Sequence, residues 1–162
     1  MIGAHQRAAI RNETMVSVAI NAIVPTAIIW AAGVTPPAML AGAQGLLAGM
    51  AKGSGIATLL MTAIVTLLIR KRVRAKPALA LAPSELPPLV RSLPGNVVAR
   101  AIIMSLVAMI LLVPAGAAVA TVLGILPLDT AGFVIFNVLF GTIVGLTMTP
   151  MVVMRALADE RA

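Results

Sequence analysis

"TLLMTAIVTLLIRKRVRAK", residues Thr58 to Lys76, decides the fold. Its first twelve residues carry no charge, and its last seven carry five cations, Arg70, Lys71, Arg72, Arg74 and Lys76. So abrupt a change marks a helix passing from an apolar solvent into water. The whole chain has the same bias: of 162 residues 60% are hydrophobic and only 10% charged. A soluble core does not need that much apolar surface, whereas a lipid-facing exterior does.

A bilayer core of about 30 Å takes about 20 helical residues. Four stretches meet this requirement, at about Met15–Val34, Gly53–Ile69, Ala101–Leu123 and Ala131–Met154. The second is short, and "AQGLLAGMAK" upstream can extend it. If Arg70 marks one interface, Lys52 lies about 27 Å back along the helix and belongs near the other.

Cations flanking membrane spans are retained on the cytoplasmic side. Eleven of the twelve lysines and arginines lie before span one, between spans two and three, or after span four; Lys52 is the exception. Both termini are therefore expected in the cytoplasm, with Arg11 and Arg100 anchoring the inner ends of the two outgoing helices. The expected organisation is a tail at 1–14, a first transmembrane hairpin at 15–69, a basic linker at 70–100, a second hairpin at 101–154 and a tail at 155–162. In class this is an all-α, four-span protein of the cell membrane, most plausible as a bacterial cytoplasmic one.

The linker holds five prolines in "PALALAPSELPPLVRSLPGN", which resist a continuous helix. Leu86, Leu89, Val90 and Leu93 are expected to rest on the membrane surface. Asn96 is placed to cap a helix starting at Val97, and Asn12 to start the first helix. The run Arg70, Lys71, Arg72, Arg74 and Lys76 reads as a topology anchor or as a holder of anionic lipid headgroups.

"RNETMVSVAINAIVPTAIIWA" from Arg11 and "RAIIMSLVAMILLVPAGAAVA" from Arg100 agree at seven of 21 positions, Pro25 and Pro114 among them. This reads as a parallel repeat of two similar hairpins, with a proline kink in each outgoing helix.

Polar and small residues recur at four-residue intervals, which places them on one helix face. Span two carries Ser54, Thr58, Thr62 and Thr66 beside Gly45, Gly49 and Gly53. Span four carries Asn137, Gly141, Gly145 and Thr149, and span one adds Ser17 and Asn21. Such faces turn toward protein, either to pack helices or to line a path for a small neutral solute. Asn21 and Asn137 each need several hydrogen-bond partners at depth.

The absent chemistry narrows the function further. There is no cysteine, the single histidine His5 is in the tail, and no titratable residue falls within the four hydrocarbon spans. A proton relay, an activated nucleophile, a haem or a zinc site cannot be assembled from such a set. Met148, Met151 and Met154 share a face and a thioether can bind copper(I), but methionine also fills gaps between helices, and no cofactor is expected. With 2% aromatic content a nucleic-acid role is set aside despite a net charge of +7. The expected function is that of a small non-enzymatic membrane protein, an accessory, scaffold or assembly subunit. It would be embedded among lipids as a homo-oligomer or beside a membrane partner. The alternative is a channel-like or facilitative carrier for a small neutral solute or lipid.

Overall fold

The computed structural model describes residues 3–32, 43–126 and 129–159, with side chains at 21, 22, 24–32, 43–46, 48, 49, 52 and 130 excepted. It is helical throughout, with no strand among the described residues. Helix α1 is Ala4–Ala32 and α2 is Ala43–Ala75; the short α3, Pro88–Arg91, lies in the linker. Helix α4, Val97–Val107, passes through a π-helical segment, Ala108–Leu112, into α5, Val113–Val122. Helix α6, Thr130–Ala158, completes the bundle.

Among the described residues three segments are long and apolar enough to cross a membrane: Gly53–Ala75, Val97–Val122 and Ala131–Ala158. The expected span at Met15–Val34 falls on α1, but most of its side chains and its last residues lie outside the described set. Helix α1 begins at Ala4, so Asn12 sits inside the helix and does not start it. Helix α2 runs unbroken from Ala43, so residues 43–52 continue span two and form no separate surface helix.

Helix pairing does not follow the hairpin order. Helix α1 packs chiefly along α6 and touches α2 little, while α2 packs chiefly on α4 and, less, on α5 and α6. The main pairs therefore join opposite halves of the chain. The proposed halves also differ at their shared proline. Helix α1 is α-helical throughout, whereas Pro114 follows a π segment in which the Val113 N–H donates to the Ala108 carbonyl. In a regular α-helix the proline ring would collide with the carbonyl four residues earlier; a wider turn moves that carbonyl aside.

The linker is not a membrane-surface strap. Leu81, Leu86, Val90 and Leu93 are buried in one core with Ile69, Val73, Val153 and Leu157 from the ends of α2 and α6, and only Leu89 stays exposed. Three short turns deliver these side chains, Pro77–Leu79, Pro83–Glu85 and Pro88–Arg91, and each has proline in its first positions, where a missing N–H costs nothing. The Leu81 N–H donates to the Leu157 carbonyl at 3.0 Å, satisfying one of the carbonyls left open where α6 ends. The side chain of Gln6 donates to Ala80 O at 2.9 Å, and Arg72 pairs with Glu13, bringing the start of α1 to the same end. We call it the basic end.

A second core, at the opposite end, joins Met50, Val113, Ala117, Ala120 and Phe133. Gly116 is its tightest point, since a Cβ there would lie 3.0 Å from Met50 Cε and 3.1 Å from the Phe140 ring. Gly53, a member of the small-residue stripe of α2, is exposed with open space about it.

Two mutational contrasts test this fold by unfolding in detergent. Leu81→Ala should destabilise the protein by about 2–4 kcal/mol and Leu89→Ala by less than about 0.5 kcal/mol; equal effects would mean the linker is not part of the core. Gly116→Leu should cost about 1–3 kcal/mol or more by overpacking, and Gly53→Leu almost nothing.

Candidate functional site

Where α2, α4 and α6 meet the linker, three arginines converge on one carboxylate. Asp159, whose side chain is only 3% exposed, accepts from Arg70 of α2 at 2.7 Å, from Arg100 of α4 at 2.7 Å and from Arg155 of α6 at 3.0 Å. The Arg100 side chain has no exposed surface. Its Nε and Nη2 also donate to Pro94 O at 3.0 and 2.9 Å, and Nη1 lies 3.5 Å from the Thr66 hydroxyl.

Local sequence explains why these groups meet. Asn96 caps α4 by accepting from the Val98 and Ala99 N–H groups, at 2.8 and 3.1 Å, which fixes the turn before it. That turn presents the carbonyls of Leu93, Pro94 and Gly95, which accept from Arg155, Arg100 and Arg70 respectively. Arg155 and Asp159 stand four residues apart on one face of the last turns of α6. A buried guanidinium is tolerable only with this density of acceptors.

The predicted anchor run divides. Arg70 belongs to the cluster and Arg72 to the pair with Glu13, while Lys71, Arg74 and Lys76 are exposed. Arg11 and Arg100, matched in the sequence repeat, differ as well: Arg11 is exposed and Arg100 is buried.

Above the cluster runs a polar seam. Thr58, Thr62 and Thr66 of α2 are buried, as is Thr149 of α6, whose hydroxyl is 2.8 Å from the Ser17 hydroxyl of α1. Ser105 of α4 donates to Gly55 O of α2 at 2.8 Å. The hydroxyls of Thr58 and Thr62 are buried and have no hydrogen-bond partner among the described residues. Ser54 is half-buried and donates back to Met50 O. Asn137 is half-buried and donates to Phe133 O of its own helix at 2.9 Å; Gly145 is buried and Gly141 half-buried. The side chains of Asn21 and Pro25 lie outside the described residues. Met148, Met151 and Met154 pack in or against the core at the basic end.

The sequence reading missed Asp159 and Ser105. Asp159 had a signal, as a carboxylate four residues after Arg155 in a last helical turn, but nothing local to α6 points to Arg70 or Arg100. Ser105 lies off the four-residue stripes and gains its role only from the close approach of α2.

Two substitutions separate cluster from seam. Asp159→Asn should cost about 3–5 kcal/mol, because it leaves buried like charges without a counter-ion. Thr62→Val, which removes an unpartnered hydroxyl at constant shape, should be neutral or stabilising by up to about 1 kcal/mol; detergent unfolding midpoints give both. Comparison with protein-family models, with curated proteins and with solved structures finds no match to this chain.

Proposed function

We propose that this is a four-span protein of a bacterial cytoplasmic membrane, with its basic end inside, acting as a non-enzymatic accessory, scaffold or assembly subunit. Helix α1 is the fourth span in this reading: its 29 residues extend about 43 Å at 1.5 Å per residue, and it lies along α6, one of the three apolar segments. The orientation follows from the cations, since the start of α1, the linker and the end of α6 all meet at one end.

One observation supports the scaffold role over a path: among the described residues Thr62, Thr66, Thr149 and Arg100 have no exposed surface. A bundle so packed and stabilised by a charge lock has the properties of a rigid building element, and its lipid-facing apolar side chains are free to meet a second copy or a partner. Crosslinking in native membranes should yield adducts heavier than the 16.6 kDa chain; recovery of the uncrosslinked monomer alone would sink the proposal.

A facilitative carrier is the second reading, favoured by the unpartnered Thr58 and Thr62 hydroxyls, which a passing neutral solute or water could engage. Its test is flux through proteoliposomes. The double variant Thr58→Val with Thr62→Val should abolish flux while leaving the fold intact, and unchanged flux removes this alternative.

A further inference from the structure

The cluster at Asp159 is electrically unbalanced. Three guanidiniums, with side-chain exposures of 25% at Arg70, 0% at Arg100 and 12% at Arg155, share a single carboxylate. The carbonyls of Leu93, Pro94 and Gly95 supply acceptors but no charge. Among the described residues the cluster therefore carries two positive charges more than its carboxylate balances, in a place largely withdrawn from water.

Donors remain as well as charge. Arg70 uses Nε and Nη2, and Arg155 uses Nε and Nη1; Nη1 of Arg70 and Nη2 of Arg155 make no hydrogen bond among the described residues. Both arginines stand at the edge of the cluster, whereas Arg100 is enclosed behind them. A Cβ at Gly95 would rest in ordinary contact, 3.5 Å from Arg155 Nη2, so the glycine leaves that nitrogen less covered.

We propose that Arg70 and Arg155, backed by Arg100, form a binding site for a phosphate-bearing anion. The two free guanidinium nitrogens, one on each arginine, can each donate to a phosphate oxygen, and their planar, fixed geometry confers more specificity than ammonium groups. Their position at the ends of apolar helices is the level of lipid headgroups, and a basic pocket between spans is a recognised kind of headgroup site. The same chemistry would accept free inorganic phosphate. This site is distinct from the exposed Lys71 and Lys76, whose attraction for anions would be diffuse. The inference rests on the placement of the basic end at a membrane surface and is independent of whether the protein is a scaffold or a carrier.

The test uses the full chain in a neutral detergent at constant ionic strength. The thermal unfolding midpoint is followed as inorganic phosphate or phosphatidylglycerol is added, with chloride and phosphatidylcholine as references. Stabilisation by phosphatidylglycerol but not inorganic phosphate assigns the site to a lipid headgroup, and stabilisation by both assigns it to phosphate itself. Arg70→Gln should raise the half-saturating concentration about tenfold, Arg70→Lys should raise it less, and Lys71→Gln should leave it unchanged. If Arg70→Gln does not fold, the contrast between Arg70→Lys and Lys71→Gln decides. No stabilisation by either phosphate source, or equal losses in the Arg70 and Lys71 variants, overturns the proposal. Glu160 follows Asp159 in the sequence and lies outside the described residues. If only Glu160→Gln responds to phosphate, that carboxylate is the counter-ion and the proposal fails.

Discussion

The burial of Arg100 constrains everything around it. A guanidinium cannot be withdrawn from water without a carboxylate and several further acceptors, so the end of α6 must bring Asp159 and the linker must bring Pro94 and Gly95. The chain meets both demands from segments about sixty residues apart, and in doing so ties the start of α4 to the last turns of α2 and the end of α6. Positive residues at span ends are usually explained by retention during insertion. Here the same residues also assemble the tertiary structure. Arg70 and Arg155 share the carboxylate that Arg100 requires, which links topology to packing through one group.

Hydroxyl groups in the interior follow a more modest logic. Thr14, Ser54, Thr121 and Thr142 donate to carbonyls four residues back in their own helices, so each is satisfied without linking anything. Thr149 with Ser17, Ser105 with Gly55 and Thr66 with Arg100 instead bridge neighbouring helices. Such bridges contribute about 0.6 kcal/mol each, too little to hold a bundle alone, and their value is in registering α1 on α6 and α2 on α4. The charge cluster supplies the larger restraint at one end, and close approach at Gly116 the restraint at the other.

Much of this was legible in the sequence because it depends on local rules. The change at Arg70 located the end of α2's apolar run, and the residue type at Asn96 located the start of α4. The buried faces of Thr58, Thr62 and Thr66 follow from four-residue spacing. What stayed hidden depends on partners distant in sequence. Arg11 and Arg100 look alike in an alignment because their neighbours look alike; only Arg100 is met by Asp159. The linker's apolar residues were assigned to the membrane surface because prolines exclude a long helix, yet Pro77, Pro83 and Pro88 each start a short turn that aims a leucine or valine inward. Helix pairing was equally unreadable, since a hairpin order and the observed exchange between halves satisfy the same hydropathy pattern. The π segment before Pro114 shows that one proline can be absorbed by a wider turn, a choice that no residue in "VAMILLVP" dictates.

In the proposed membrane placement the two cores of the molecule lie in different solvents and are held by different forces. Between the spans, lipid is as apolar as leucine, so apolar contact alone gives no preference for helix over lipid, and specificity must come from shape and polar pairing. That is where Gly116, Phe140 and Met50 interlock, and where the Phe136 and Phe140 rings stack with centroids 6.3 Å apart. Beyond the spans, in the reading that places the basic end in water, Leu81, Leu86, Val90 and Leu93 are driven together as in a soluble protein, by about 25 cal/mol for each Å² withdrawn from water. The linker core can thus form only once the helices have delivered Ile69, Val73 and Leu157 to one place. In that reading the charge cluster lies at the junction of these regimes, where Arg100 is enclosed by protein and Arg70 and Arg155 keep some exposed surface.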